Sequence, residues 1–163
     1  MTNEFDWKTW FFKVWEDNRH LTNNVAPALA SADALDKTPV EGMRSFRQLL
    51  LEIWGIERAY AQGLGHDDWQ GQAPPETLHT ASVDELFAFG REVREQTRQV
   101  WSTIPFESLT QVRPDPFWGG PEGTVMGWLT YALENEIHHR GQGYVYLRLL
   151  GHEPPAFYVR TES

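Results

Sequence analysis

A chain of 163 residues has the size of one domain. A domain of this size buries about 70% of its unfolded surface on folding. Its formal net charge of −9 at pH 7 repels nucleic-acid phosphates, and no lysine and arginine cluster reverses that charge locally. It has no cysteine, which excludes disulfides, cysteine zinc sites and a cysteine nucleophile. We therefore expect a single domain over residues 1–163 that binds no nucleic acid.

The first residues of the chain lack the basic and apolar regions of a signal peptide. No apolar run approaches the ~20 residues that a membrane-spanning helix requires. The sequence therefore predicts a cytoplasmic protein that does not enter a membrane.

Large apolar residues at three- and four-residue steps predict a first helix from about residue 6 to residue 32. Pro27, together with Asn23 and Asn24, predicts a bend or a break inside it. A second helix begins at Ser45, because Ser45 and Gln48 have the spacing of a capping box. It ends around residues 63–65, where two glycines flank a leucine.

Two segments rich in glycine and proline, residues 66–80 and 106–123, predict long loops on either side of a third helix. That helix opens with a second capping box at Ser82 and Glu85 and ends before Pro105. A fourth helix runs from about residue 124 to residue 150, and no segment shows the period-two alternation of a strand. The pattern predicts an all-α four-helix bundle with long loops between helices 2 and 3 and between helices 3 and 4.

Polar residues interrupt the last helix between two apolar flanks, over residues 134–142. Asn135 and His139 are four residues apart and therefore share one face of the helix. On the second helix, Glu52 lies on an otherwise apolar row, and a buried carboxylate without a partner is costly. A divalent metal shared with His139 would be such a partner. The alternative is that Glu52 tilts to the surface and that residues 134–142 form a solvated stripe.

Other features of this region carry structural predictions. Glu136 and Arg140 are also four residues apart, which predicts an exposed ion pair. Gly141 and Gly143 permit close backbone approach and therefore predict a helix–helix contact. Phe117 and Trp118, in the second loop, predict an aromatic cap on a pocket mouth or a dimer contact.

Two segments carry a resemblance to a known family. Residues 136–150, followed by Gly-His-Glu-Pro-Pro at residues 151–155, together with residues 45–58 resemble the DinB-like family of bacterial metalloenzymes. The family pattern on the last helix is His-x-x-x-His-Arg-Gly-Gln. The resemblance implies a four-helix bundle, often a homodimer, in which three histidines hold a divalent ion such as Zn or Ni. It also implies kinship with transferases and an isomerase that use low-molecular-weight thiols.

Two of the three metal ligands that the resemblance implies are changed in this chain. His139 matches the last histidine, whereas Asn135 and Glu52 stand where the other two belong. A neutral amide oxygen binds zinc or nickel feebly, so metal binding at Glu52, Asn135 and His139 should be weak or absent. Direct hydrogen bonds among the three side chains are the alternative.

Two functions follow from the resemblance. In the first, the protein is a metal-dependent S-transferase or isomerase, and its metal lowers the pKa of a small thiol. In the second, it is a non-catalytic small-molecule-binding or stress-response member of the fold that has lost its metal. In either case the expected partner is a small molecule, and the sequence assigns no catalytic residue.

Overall fold

Four long helices form the frame of the protein, whose computed structural model describes residues 5–69, 73–114 and 121–158. A five-residue helix and two short strands lie between the third and fourth of them. In chain order the elements are α1 (Trp7–Ser31), α2 (Phe46–His66), α3 (Val83–Thr103), α4 (Phe106–Thr110), β1 (Val112–Arg113), β2 (Gly123–Thr124) and α5 (Val125–Leu149).

Both predicted capping boxes are present and fix where α2 and α3 begin. The Ser45 hydroxyl accepts from the Gln48 backbone N–H, and the Gln48 side chain accepts in return from the Ser45 N–H. Ser82 and Glu85 make the same reciprocal pair at the start of α3. Each box satisfies two backbone donors that a helix start would otherwise leave unpaired.

Of the predicted bend or break in α1, the break at Pro27 does not occur. The helix continues through Pro27 to Ser31. A proline inside a helix leaves the carbonyl four residues earlier without its usual donor. That carbonyl belongs to Asn23, and both Asn23 and Pro27 are exposed. Because water can reach the carbonyl, the proline is tolerated.

The two predicted loops contain short elements that periodicity did not indicate. The first loop holds a 3₁₀ turn, Glu76–His79, and the second holds α4. Strands β1 and β2 pair in antiparallel register, with Val112 opposite Thr124. Two residues are too few to show the alternation by which a strand is recognised in sequence. The all-α four-helix bundle is otherwise confirmed.

The long helices pack in the order α1, α5, α2, α3. Each helix in this order packs closely against the next, whereas α1 and α3 make much less contact with each other. Their apolar faces form two clusters of buried side chains. One centres on Phe46, Trp54 and Tyr146, and the other on Trp15 and Leu129. Within the described ranges, no helix is both long and apolar enough to cross a bilayer.

Candidate functional site

The three residues predicted as metal ligands converge between α2 and α5. His139 Nε2 lies 2.9 Å from Glu52 Oε1. Asn135 Nδ2 donates to the same carboxylate oxygen at 3.0 Å and lies 3.2 Å from His139 Nε2. The structure therefore brings Glu52, Asn135 and His139 together, and Glu52 does not swing away into solvent.

A fourth residue, Arg44, joins them and was not anticipated from the sequence. Its Nη1 donates to Glu52 Oε2, and its Nη2 lies 3.5 Å from His139 Nε2. The Tyr146 hydroxyl donates to the Arg44 backbone carbonyl at 2.7 Å and anchors this segment on α5. We call Arg44, Glu52, Asn135 and His139 the polar cluster.

Arg44 carries no local sequence signal for this role. It is exposed and directly precedes the cap of α2. The His139 ring beside it is 95 residues away along the chain. Helical periodicity relates only residues within one helix, so this contact depends on how α2 and α5 pack.

Opposing effects set the protonation states in the polar cluster. Burial by itself raises the pKa of Glu52, but hydrogen bonds from His139, Arg44 and Asn135 outweigh burial and lower that pKa to about 2. Burial lowers the pKa of His139, and the nearby Glu52 carboxylate opposes that shift only in part. At neutral pH the carboxylate is therefore charged and the imidazole neutral.

These protonation states also fix the tautomer of His139. An ionised carboxylate can only accept, so the imidazole proton lies on Nε2, facing Glu52. His139 Nδ1 then carries the lone pair. Among the described residues neither His139 Nδ1 nor Asn135 Oδ1, both buried, has a hydrogen-bond partner.

The polar cluster does not fit a divalent metal ion well. Glu52 and His139 are competent ligands, but the third position offers only a neutral amide. The Arg44 guanidinium already contacts the carboxylate and lies next to the imidazole, so a metal cation there would meet a fixed positive charge. Within the described ranges no three His, Cys, Asp or Glu side chains gather in a group that could hold a metal.

The predicted exposed pair of Glu136 and Arg140 is wrong, because both side chains are buried. Glu136 accepts from Arg19 Nε at 2.8 Å and from the Thr22 hydroxyl at 2.7 Å. Arg140 donates to the backbone and side-chain oxygens of Asn18. The spacing correctly placed the two residues on one face of α5, but that face points towards α1.

Glu136 belongs to a second cluster, which we call the buried ion network: Arg19, Glu57, Arg94 and Glu136. Each of the four long helices contributes one member. Arg19 donates to Glu57 at 2.5 Å and to both oxygens of Glu136, and Arg94 donates to Glu57 at 2.9 Å. Two positive and two negative charges balance one another in the centre of the bundle, as buried charges require.

Gly141 and Gly143, both on α5, differ in role. A Cβ built on Gly143 would lie 2.5 Å from Phe46 Cε2, so this glycine allows α2 and α5 to pack closely, as predicted. Gly141 is exposed, and a Cβ there would meet nothing within 4 Å, so the predicted packing role is wrong for Gly141. Phe117 and Trp118 lie outside the described residues.

Comparison with known proteins supports the fold and the family. A model of the DinB family matches residues 1–163. An uncharacterized protein of Bacillus subtilis, YjoA, is 26% identical over 142 residues, which are 86% of this chain and 89% of YjoA. A crystal structure of YjoA, described as a DinB-like protein, superposes with a TM-score of 0.66 at 25% identity. The match covers 89% of this chain and 94% of that one.

Proposed function

Because the chain belongs to the DinB family, we propose that it is a small-molecule-binding member of that family in which Arg44 takes the place of the metal ion. The observation that carries this proposal is the contact of the Arg44 guanidinium with the Glu52 carboxylate. That contact lies where Asn135 and His139 also meet. A guanidinium bound to a partly buried carboxylate balances the negative charge of that carboxylate, so no external cation is required.

The donor set supports this proposal over a metal site. Relative to three histidines, the chain has exchanged two neutral nitrogen ligands for a carboxylate and an amide. The carboxylate adds one negative charge, and Arg44 adds one positive charge beside it. The pair is therefore balanced internally, and Asn135 directs its N–H rather than its oxygen to the carboxylate.

The solvent edge of the polar cluster suits the recognition of a small polar molecule. The Arg44 side chain is 49% exposed and that of Glu52 is 30% exposed, whereas His139 is buried. A ligand can therefore reach a positively charged donor, Arg44, and a negatively charged acceptor, Glu52, that lie side by side. A low-molecular-weight thiol, which commonly carries both amino and carboxylate groups, would match this pair.

A metal-dependent thiol transferase or isomerase is the second candidate function. The convergence of Glu52, Asn135 and His139 favours it, because these are the positions where the family places its metal ligands. Arg44 is half exposed and could turn outward to admit a cation. In that case Glu52 and His139 would hold the ion and Asn135 would be a weak third ligand.

Metal analysis separates the two candidates. Wild-type protein and a Glu52→His/Asn135→His variant are purified without chelator or nickel resin, exposed to Zn²⁺, dialysed and analysed for bound metal. We expect the wild type to hold no stoichiometric Zn²⁺ and to keep its melting temperature after chelation. The variant, which regains three histidines, should bind Zn²⁺ and melt at a lower temperature after chelation.

Matched variants identify the site in both cases. Adding His139→Ala to the three-histidine variant should abolish its Zn²⁺ binding. A stoichiometric ion in the wild type that is lost on Glu52→Ala or His139→Ala would refute the first candidate and support the metalloenzyme.

Binding is tested with cysteine and glutathione as probes. Calorimetry should detect binding that Arg44→Gln weakens and that Arg148→Gln, a change at an exposed arginine on α5, leaves intact. If neither thiol binds, the thiol part of the proposal is wrong. The expected homodimer stays a prediction, which sedimentation analysis would check.

A further inference from the structure

Helix α5 differs from α2 and α3 in the side chains that it exposes to solvent. Among the described residues, α2 and α3 expose no large apolar side chain. The large apolar side chains that α5 exposes are Tyr131, Ile137, Val145 and Leu149. A helix that is apolar on all sides is usually covered on all sides. The outer face of α5, turned away from α1 and α2, is left uncovered within one copy of the chain.

Five exposed positions on this outer face form a pattern that is symmetrical about Gly141. Ile137 and Val145 lie four residues before and after it, and are 42% and 50% exposed. Glu134 and Arg148 lie seven residues before and after it. With 3.6 residues per turn, these offsets keep all five positions within an arc of about 80° on the helix. We call Glu134, Ile137, Gly141, Val145 and Arg148 the outer stripe.

Nothing within one copy of the chain accounts for a glycine at the centre of the outer stripe. Glycine destabilises the interior of a helix relative to alanine. A Cβ built on Gly143 would meet Phe46, whereas a Cβ built on Gly141 would meet nothing within 4 Å. A second helix lying across α5 at this point would account for the glycine, because a missing Cβ lets two backbones approach closely.

Two copies of the outer stripe complement each other when the two helices run antiparallel. Across a twofold axis at Gly141, residues at equal distances on either side meet, and each contact occurs twice. Ile137 then faces Val145 of the second copy, so two exposed apolar side chains cover each other. Glu134 faces Arg148 of the second copy, because the stripe carries its carboxylate at one end and its guanidinium at the other.

Both charges of the outer stripe are available for this contact. Glu134 and Arg148 are exposed, and neither makes an ion pair within the described ranges. Arg148 Nη1 donates to the Tyr144 carbonyl of its own helix at 3.3 Å, and its other donors can reach outward. At a rise of 1.5 Å per residue, each charged residue lies about 10 Å from Gly141 along the helix. Two helices that cross at about 20° separate little over that distance.

We propose that a second copy of this chain packs on the outer stripe, with the two α5 helices antiparallel and crossing at Gly141. The expected homodimer specifies no surface, and this proposal assigns one. A contact made by one helix face is smaller than a standard interface of about 800 Å² per partner, so the pair is weak and forms at high protein concentration. The outer stripe shares no residue with the polar cluster and does not depend on the function proposed there.

Sedimentation equilibrium of the full chain tests the proposal. We expect mostly monomer at about 10 µM and mostly dimer at about 1 mM, as for a small interface. Glu134→Arg places two arginines opposite each other, and Arg148→Glu places two glutamates opposite each other. Each change should raise the dissociation constant at least about tenfold. The double variant Glu134→Arg/Arg148→Glu restores opposite charges and should return that constant to within about threefold of the wild type.

Matched variants at other exposed positions serve as controls. Val145→Ser removes an apolar contact that occurs twice in the pair, and should raise the dissociation constant about tenfold. Val40→Ser, at a valine outside α5 that is 44% exposed, should change it by less than about twofold. Glu92→Arg makes the same change of charge as Glu134→Arg, but on the exposed face of α3, and should change it by less than about threefold.

The effects on dimerisation and on folding can be measured separately. At the low micromolar concentration of a denaturation experiment the chain is monomeric, because so small an interface dissociates on dilution. Substitutions in the outer stripe then act on the stability of a single copy. Circular dichroism at the same concentration checks that each variant keeps its helices.

Three results would overturn the proposal. The first is a wild-type chain that stays monomeric at about 1 mM. The second is a dimer whose dissociation constant neither single charge reversal changes, which would place the contact on another surface. The third is a double variant that dimerises no better than the single variants, which would exclude the antiparallel pairing of Glu134 with Arg148.

Discussion

The polar cluster and the buried ion network both pair arginine with glutamate, but they differ in their access to water. In the polar cluster, the Arg44 and Glu52 side chains are 49% and 30% exposed. In the buried ion network, no side chain is more than 4% exposed. The first joins α2 and α5 near the surface, whereas the second takes one residue from each of the four long helices.

This difference separates charges that hold the helices together from charges that can exchange their partners. A charge in the interior cannot be rehydrated, so each member of the buried ion network depends on its partners, and together they fix how the four helices meet. A half-exposed ion pair contributes little to stability because water and salt compete with it. Its groups can therefore exchange partners with a ligand at small cost.

The largest effect is expected from Glu136→Gln. This change removes one negative charge from the buried ion network and leaves Glu57 alone to balance Arg19 and Arg94, which should lower the free energy of unfolding by about 3–5 kcal/mol. Urea denaturation measures the loss. Glu134→Gln, at the exposed position two residues earlier, is the control and should cost no more than about 0.5 kcal/mol.

Equal stability of the two glutamine variants would mean that the buried ion network does not hold the helices together. The distinction drawn between it and the polar cluster would then fail.

A smaller effect is expected from Gly143→Ala, which tests the packing of α2 against α5 beside the polar cluster. The new methyl group would lie 2.5 Å from the ring of Phe46, which is fully buried and cannot turn into solvent. The free energy of unfolding should fall by about 1–3 kcal/mol. Thermal and urea denaturation check the size of this loss.

Gly141→Ala is the matched variant two residues earlier on the same helix. A methyl group there meets open space, and alanine is the better helix former by up to about 1 kcal/mol. This variant should therefore be more stable than the wild type. Loss of stability in Gly141→Ala would contradict the exposed position assigned to that residue.

The smallest effect concerns the pH dependence of the polar cluster. The pKa of Glu52 is lowered from its ordinary value of 4.5 to about 2, so its ionised form favours the folded state above pH 4.5. That contribution is lost as the pH falls from 4.5 towards 2. Because the side chain is partly exposed, we expect no more than about 1 kcal/mol.

Urea denaturation of wild type and Glu52→Gln at pH 7 and pH 3 measures this contribution. The wild type should be the more stable of the two at pH 7, and the difference should shrink at pH 3. Arg148→Gln controls for the removal of an exposed charge. A difference that grows on acidification would show that Glu52 is not held by the donors assigned to it.

Several local features could be predicted because they depend on neighbours in sequence. Ser45 and Ser82 start their helices through contacts within one turn. Periodic apolar residues gave the four long helices within a few residues of their ends. The meeting of Glu52 with Asn135 and His139 was expected from the family resemblance and from the cost of burying an unpaired carboxylate.

Other features depend on which face of a helix is covered, and spacing alone does not decide that. Residues 136 and 140 share a face of α5, but the exposed pair expected there proved to be two buried groups with partners on α1. Gly141 and Gly143 look alike in sequence, and only Gly143 faces a neighbouring helix.

The sequence by itself determined that this chain forms a helical bundle and where its helices begin, and the family resemblance led us to expect that Glu52, Asn135 and His139 meet. The tertiary structure alone decided that Arg44 joins these three residues and that four charges balance in the core. The physical reason is one of range: caps and periodicity act within a few residues, whereas charge pairing and burial follow from the packing of helices far apart in the chain.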